Sequence, residues 1–117
     1  MAVEMPSQKY MRTDIKATKL ELSGEIKDYI QKKMNMLERY LGNIQVLNCH
    51  VEIGLAVGGQ KNGQIYRAEA NLDLPGELLR VERNATDIFK AIDKVKEHLV
   101  DQIKKYKEKK IERKRKG

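Results

Sequence analysis

The sequence predicts an α+β domain of order β-α-β-β-β-α: a four-stranded mixed sheet with two helices packed on one face. Three observations predict it. Several segments alternate apolar and polar residues at every second position. Two others carry apolar residues at i, i+3, i+4 and i+7. Glycine-bearing turns separate them. A length of 117 residues fits one domain with one core.

Residues 1–12 are polar, hold Pro6 and lack periodicity, which predicts a flexible arm. A short strand follows, with Ile15 and Ala17 on one side and Lys16 and Thr18 on the other. Ser23 reads as the N-cap of the first helix, with Glu25 in its first turn to favour the dipole. Ile26, Tyr29, Ile30, Met34, Leu37, Tyr40 and Leu41 form one apolar face, so this helix is expected to run to about Leu41, where Gly42 and Asn43 stop it. Leu47, Cys49, Val51, Ile53, Leu55 and Val57 alternate with polar residues as a second strand. The glycines of 58–63 predict a hairpin loop. Tyr66, Ala68, Ala70, Leu72 and Leu74 return as a third strand, Pro75-Gly76 turns the chain, and Leu79 and Val81 begin a fourth. A long helix runs from about Thr86 past Tyr106, with Ile88, Ala91, Ile92, Val95, Leu99, Ile103 and Tyr106 in one sector. Each strand has one apolar face, so the helices cover one side of the sheet and leave the other wet. If the first two strands are neighbours, they are parallel through a right-handed crossover, and the rest is an antiparallel meander.

Catalytic chemistry is poorly represented. Cys49 and His50 are adjacent on a strand, so they point to opposite faces and cannot pair as nucleophile and base. One cysteine cannot form an internal disulfide, which points to a reducing compartment, the cytoplasm being the simple reading. One Cys and two His supply no zinc-site spacing. The glycine loop lacks the Gly-Lys-Ser/Thr ending and following helix of a phosphate loop. No apolar run reaches membrane-helix length. The expectation is a non-enzymatic protein with no cofactor, no metal, no small-molecule substrate and no membrane partner, monomeric when free.

Charge is distributed unevenly. Residues 104–117 hold nine basic and two acidic side chains, so they carry the whole formal net charge of +7 and the rest of the chain sums to zero. Lys104, Lys105, Lys107, Lys109 and Lys110 lead this run; residues 109–117 read as a basic C-terminal tail behind a domain of 13–108. Clustered like charge repels itself unless a polyanion neutralises it, so nucleic acid is the first candidate partner. Past Tyr106 only Ile111 is apolar, too little for a membrane-lying helix. On the last helix Lys90, Lys94, His98 and Lys105 form one stripe beside the apolar sector, with Asp101 among them. On the first helix Lys32 and Arg39 face solvent. Lys33 falls within the apolar face, so its stem must lie along the core edge and its ammonium must enter the groove between the helices. The exposed side of the third strand offers Arg67, Glu69, Asn71 and Asp73, no platform for stacked bases. The helices and tail, not the sheet, are expected to meet the polyanion, reading shape through phosphates.

From about residue 13 to 110 the chain resembles the bacterial family of ribosome hibernation promoting factors and ribosome-associated translation inhibitors, which includes the sigma-54 modulation proteins. The residues that carry the resemblance are Asp87-Ile88-Phe89-x-Ala91-Ile92-Asp93 and Gln102-Ile103-Lys104-Lys105-Tyr106-Lys107 on the last helix, with Leu37-Glu38-Arg39-Tyr40 and Leu79-Arg80-Val81-Glu82. The resemblance implies the fold read above and a role against ribosomal RNA in the messenger and transfer RNA channel of the small subunit, inhibiting translation in stationary or stressed cells. It implies RNA contacts for Lys27, Lys33, Arg39, Lys104, Lys105 and Lys107, and Arg80 matches an arginine of its longer members. Where the family places lysine and arginine, this chain has His98 and Asp101. It is expected to be a short form, without the linker and second domain of long members. Two other readings stand beside this one. A general RNA-binding module of double-stranded-RNA type fits less well, because it places a helix ahead of all strands. A protein-interaction adaptor modulating transcription would use the tail only for solubility.

Overall fold

The computed structural model describes residues 11–56 and 63–116, with side chains to 113. The expected hairpin loop falls mostly outside the described residues, as does all but the end of the expected arm. Met11, at that end, is buried in the core, and its carbonyl accepts a hydrogen bond from Gln31 Nε2 at 2.7 Å.

The elements are β1 (Asp14–Thr18), α1 (Gly24–Asn35), α2 (Glu38–Leu41), β2 (Asn48–Leu55), β3 (Tyr66–Leu74), β4 (Glu77–Ala85) and α3 (Ile88–Lys116). They form one four-stranded sheet in the order β1-β2-β3-β4. β1 and β2 are neighbours and pair parallel, as the crossover through a helix predicts for neighbouring strands, and β2, β3 and β4 form the expected antiparallel meander. Ser23 caps α1, its Oγ accepting from Ile26 N–H at 3.2 Å. Asp87 does the same for α3, its Oδ1 accepting from Phe89 N–H at 2.8 Å.

The first helix does not run unbroken to Leu41. It ends at Asn35, where Leu37 N–H bonds back only three residues to Met34 O at 3.0 Å, tightening the chain before α2. Asn35 is a weak helix former, and its Oδ1 is engaged by Gln31 Nε2. Two features hold the displaced piece: Leu37 and Leu41 are fully buried, and Lys107 Nζ from α3 donates to Tyr40 O at 2.8 Å.

The core lies between the sheet and the helices. Cross-strand register puts Ile15, Val51, Ala70 and Val81 in one row of the inner face and Cys49, Leu72 and Leu79 in another. Ala68 and Ala70 at the centre of β3 are small, leaving volume for the larger buried side chains of the helices, including Ile30, Met34, Ile92 and Leu99. Burial also pushes the Cys49 thiol up to about 11, as expected of a core cysteine.

The outer face is not uniformly wet. One row runs Lys16, Glu52, Glu69, Glu82 across the four strands. Three carboxylates side by side repel unless neutralised. Arg67 answers this by donating from Nε to Glu82 Oε2 and from Nη2 to Glu69 Oε1, the latter at 2.6 Å. Arg80 Nε donates to the other oxygen of Glu69 at 2.6 Å. The two guanidinium groups cover Glu69, leaving it only 4% exposed.

Gly54 sets the approach of β1 to β2. A Cβ there would lie 2.8 Å from the backbone oxygen of Thr18, its register partner. Gly54→Ala is therefore expected to lower stability by about 1–3 kcal/mol, read as a drop in urea midpoint. An unchanged midpoint would mean that the strands part at no cost.

Candidate functional site

Helices α1 and α3 run side by side over the sheet, and the basic residues expected from the sequence do not share one surface.

The groove between the helices holds the tightest arrangement. Tyr29 and Phe89 pack edge to face with centroids 4.9 Å apart. Tyr29 OH donates to Asp93 Oδ1 at 2.6 Å, and Lys33 Nζ sits 3.2 Å from the same oxygen and 5.2 Å from the Tyr29 ring centroid. Lys33 enters the groove, as its place in the apolar face predicts, and its charge is balanced there by Asp93. By accepting hydrogen bonds, Asp93 raises both the Tyr29 phenol and the Lys33 ammonium above their ordinary values.

At the far end of the same groove, α2 and α3 bring cations to one ring. Arg39 Cζ lies 6.0 Å and Lys104 Nζ 5.7 Å from the Tyr40 centroid, and Lys107 Nζ is on the Tyr40 carbonyl. Arg39, Lys104 and Lys107 thus converge from two elements, with Tyr40 holding the first two by cation–π attraction. Arg39 and Lys104 are exposed, and no carboxylate pairs with either among the described residues.

The third surface is the flank of α3 toward the β4 edge. His98 and Lys94 are one turn apart, Lys90 another turn back, and Lys105 and Lys109 continue the side. His98 Nδ1 lies 2.8 Å from Arg83 Nη2, and Lys109 Nζ lies 3.4 Å from Glu77 Oε2, both partners on β4. A guanidinium can only donate, so Nδ1 accepts and the ring proton sits on Nε2. The cation at this place is Arg83, which sequence reasoning missed. Its signal was its phase: Leu79, Val81 and Arg83 share one side of β4, so a charged side chain there has to rise beside the helix. Glu97 and Asp101 are exposed on α3 as well, so the stripe is broken by acid.

Three residues fall elsewhere. Lys27 precedes Gln31 by one turn, and Gln31 reaches Met11 and Thr13 beside β1, so Lys27 lies on the flank of α1 away from α3. Arg80 lies on the outer face of the sheet against Glu69, on the opposite side of the molecule from the helices. Lys110 stands over the Tyr106 ring at 5.5 Å, near where α3 leaves the sheet. No group of three or more His, Cys, Asp or Glu that could hold a metal ion occurs among the described residues. Cys49 is buried and His50 exposed, on opposite faces of β2. No described helix is long and apolar enough to cross a membrane.

In Asp93→Asn the charged acceptor is removed, so one phenol should ionise at lower pH than in the parent chain. The sign for stability follows. Tyr29 and Lys33 both keep their protons to higher pH when folded, so their contribution fades as pH rises through the alkaline range. The substitution should flatten that loss. Ultraviolet titration and melts from pH 8 to about 11 read both effects; superimposable titrations would remove Asp93 from the groove.

Known proteins resemble this chain in sequence and fold. The family model described as sigma 54 modulation protein / S30EA ribosomal protein matches residues 13–111. A ribosome hibernation promotion factor of Deinococcus radiodurans is 27% identical over 99 residues, covering 84% of this chain and 50% of that protein. The protein of the same name from Staphylococcus aureus is 27% identical over 97 residues, covering 83% and 48%. The chain spans about half the length of these relatives. Among solved structures, the N-terminal domain of Thermus thermophilus Protein Y superposes with a TM-score of 0.64 at 31% identity, covering 82% of this chain and 97% of that one. A ribosomal subunit interface protein of Coxiella burnetii gives a TM-score of 0.66 at 24% identity, covering 83% and 98%, a likeness of fold.

Proposed function

The chain belongs to the sigma 54 modulation protein / S30EA ribosomal protein family, and on that premise we propose that it is a ribosome hibernation factor. It binds the small subunit in the cytoplasm of stationary or stressed cells. There it occupies the channel for messenger and transfer RNA and inhibits translation without catalysing a reaction.

The observation that carries the reading is the convergence of Arg39 and Lys104 at Tyr40, beside Lys107. Long cationic side chains lose rotamer freedom when they grip a phosphate. A ring that already restrains two of them lowers that loss. The two sides of the molecule also differ. Arg67 and Arg80 are committed to Glu69 and Glu82 on the sheet, whereas Arg39 and Lys104 keep their charge for a partner. This supports an approach to RNA with the helices foremost. Lys33 then serves the fold first and RNA second, because releasing it means breaking its pair with Asp93. Relatives named for ribosome hibernation support the same partner.

The test is sucrose-gradient sedimentation of stationary-phase lysate, followed by pelleting of purified chain with small subunits. The parent chain should travel with the small subunit. Arg39→Glu with Lys104→Glu should weaken pelleting by about tenfold or more for each charge-assisted hydrogen bond to phosphate that is removed. Lys16→Glu, a charge reversal on the exposed side of β1, should pellet as the parent does. Free protein at the top of the gradient in every case would favour an adaptor role instead.

A further inference from the structure

We propose that the free edge of β4 takes an extended acidic segment of a protein partner as a fifth strand of the sheet. The inference does not depend on RNA binding by the helices.

The direction of the backbone groups on β4 follows from one bond. Ala56 N–H donates to Ile65 O at 2.8 Å, and the register carries that pairing along β2 and β3. In an antiparallel ladder, bonded and unbonded pairs alternate. Arg67, Glu69, Asn71 and Asp73 therefore direct their main-chain groups to β2, and the residues between them turn theirs to β4. Across the β3–β4 register the opposite set is left over: the N–H and C=O of Leu78, Arg80, Glu82 and Asn84 point away from the sheet. β4 pairs residue for residue with β3 over nine residues, without a bulge, and holds no proline. The edge is thus a regular template with a repeat of about 7 Å.

One of these outward groups is already engaged. Arg83 Nη1 donates to Glu82 O at 2.7 Å, while Nη2 donates to His98 Nδ1 at 2.8 Å. The side chain lies along the edge, held by a carbonyl and an accepting imidazole. No carboxylate pairs with it among the described residues. A guanidinium bound only to neutral acceptors gains by exchanging one of them for a carboxylate, a bond about twice as strong. An incoming strand makes that exchange. Its N–H takes Glu82 O, and an acidic side chain on its inner face takes Arg83. Lys94, one turn before His98, and Lys105, two turns after it, stand on the same flank of α3 and outnumber Asp101 there. Toward the other end of the edge Leu78, 56% exposed, offers an apolar contact on the outer face.

A polypeptide suits this edge better than RNA. Phosphates accept hydrogen bonds and donate none, so they would leave the edge carbonyls unpaired. A strand supplies donors and acceptors in alternation, and its side chains alternate with them.

The probe is a peptide of the same nine-residue length as β4, alternating glutamate and valine, with blocked ends; a lysine–valine peptide is its counterpart. Affinity for the full chain is measured by titration, and amide hydrogen exchange is followed residue by residue. At about ten times its Kd the glutamate peptide should slow exchange at Arg80 and Glu82 by about tenfold, and the lysine peptide should leave both unchanged. R83Q, which keeps a donor for Glu82 O, should weaken the glutamate peptide by about tenfold or more. N84P removes one outward N–H while its neighbours keep their bonds to β3, and should weaken it about threefold to tenfold. Exchange at Arg80 and Glu82 that the glutamate peptide does not slow overturns the proposal, as does R83Q or N84P binding it as the parent does. An RNA oligonucleotide that protects those amides in the peptide's place would assign the edge to phosphate. A parent chain that sediments as a dimer with the same amides already protected would assign it to a second copy. Either result removes the acidic strand.

Discussion

One-sided burial of the sheet is the constraint from which the rest follows. Four strands expose two faces, and among the described residues helices cover only one. On the covered side apolar side chains leave water, each contributing about 1.5–3 kcal/mol when fully buried. On the uncovered side the strands must remain compatible with water and with one another. The row of Glu52, Glu69 and Glu82 makes that a question of charge, and Arg67 and Arg80 resolve it within the face. The sheet is thereby complete in itself. Unbalanced cations are left to the helices.

The helices divide their own charges between structure and binding. Lys33 sits where the apolar spacing wanted a hydrophobe, and it is tolerated because Asp93 and the Tyr29 ring receive its ammonium. Lys107 is partly committed to the end of α2. Arg39 and Lys104 have no anionic partner among the described residues, only the Tyr40 ring. Proximity to a groove therefore does not by itself make a lysine available; the presence or absence of a facing carboxylate does.

Element order, strand alternation and the Ser23 cap were legible because each depends on local pattern, and the parallel first pair followed once β1 and β2 proved to be neighbours. The bend at Asn35 was not, because Leu37 and Leu41 remain in phase with an unbroken helix, and the contact that holds the displaced α2 comes from α3, far along the chain. The near-complete burial of Glu69 was hidden for a similar reason. Alternation placed it on the outer face, but its cover comes from Arg80 on the next strand. The set of basic residues was legible as composition and not as a surface. Arg80 and Lys27 share the charge of Lys104 without sharing its side of the molecule, and Arg83, with the strongest positional signal, was read past.

The order of strands leaves β1 and β4 at the rims, and β4 is the longer of the two. A nine-residue rim with open backbone donors and acceptors invites a second chain to add itself there. The Arg83–His98 pair stands over that border, with Lys94 one turn away, so any strand aligning on β4 would bring its amides beneath fixed positive charge. Like charge on two copies brought edge to edge along β4 opposes that pairing.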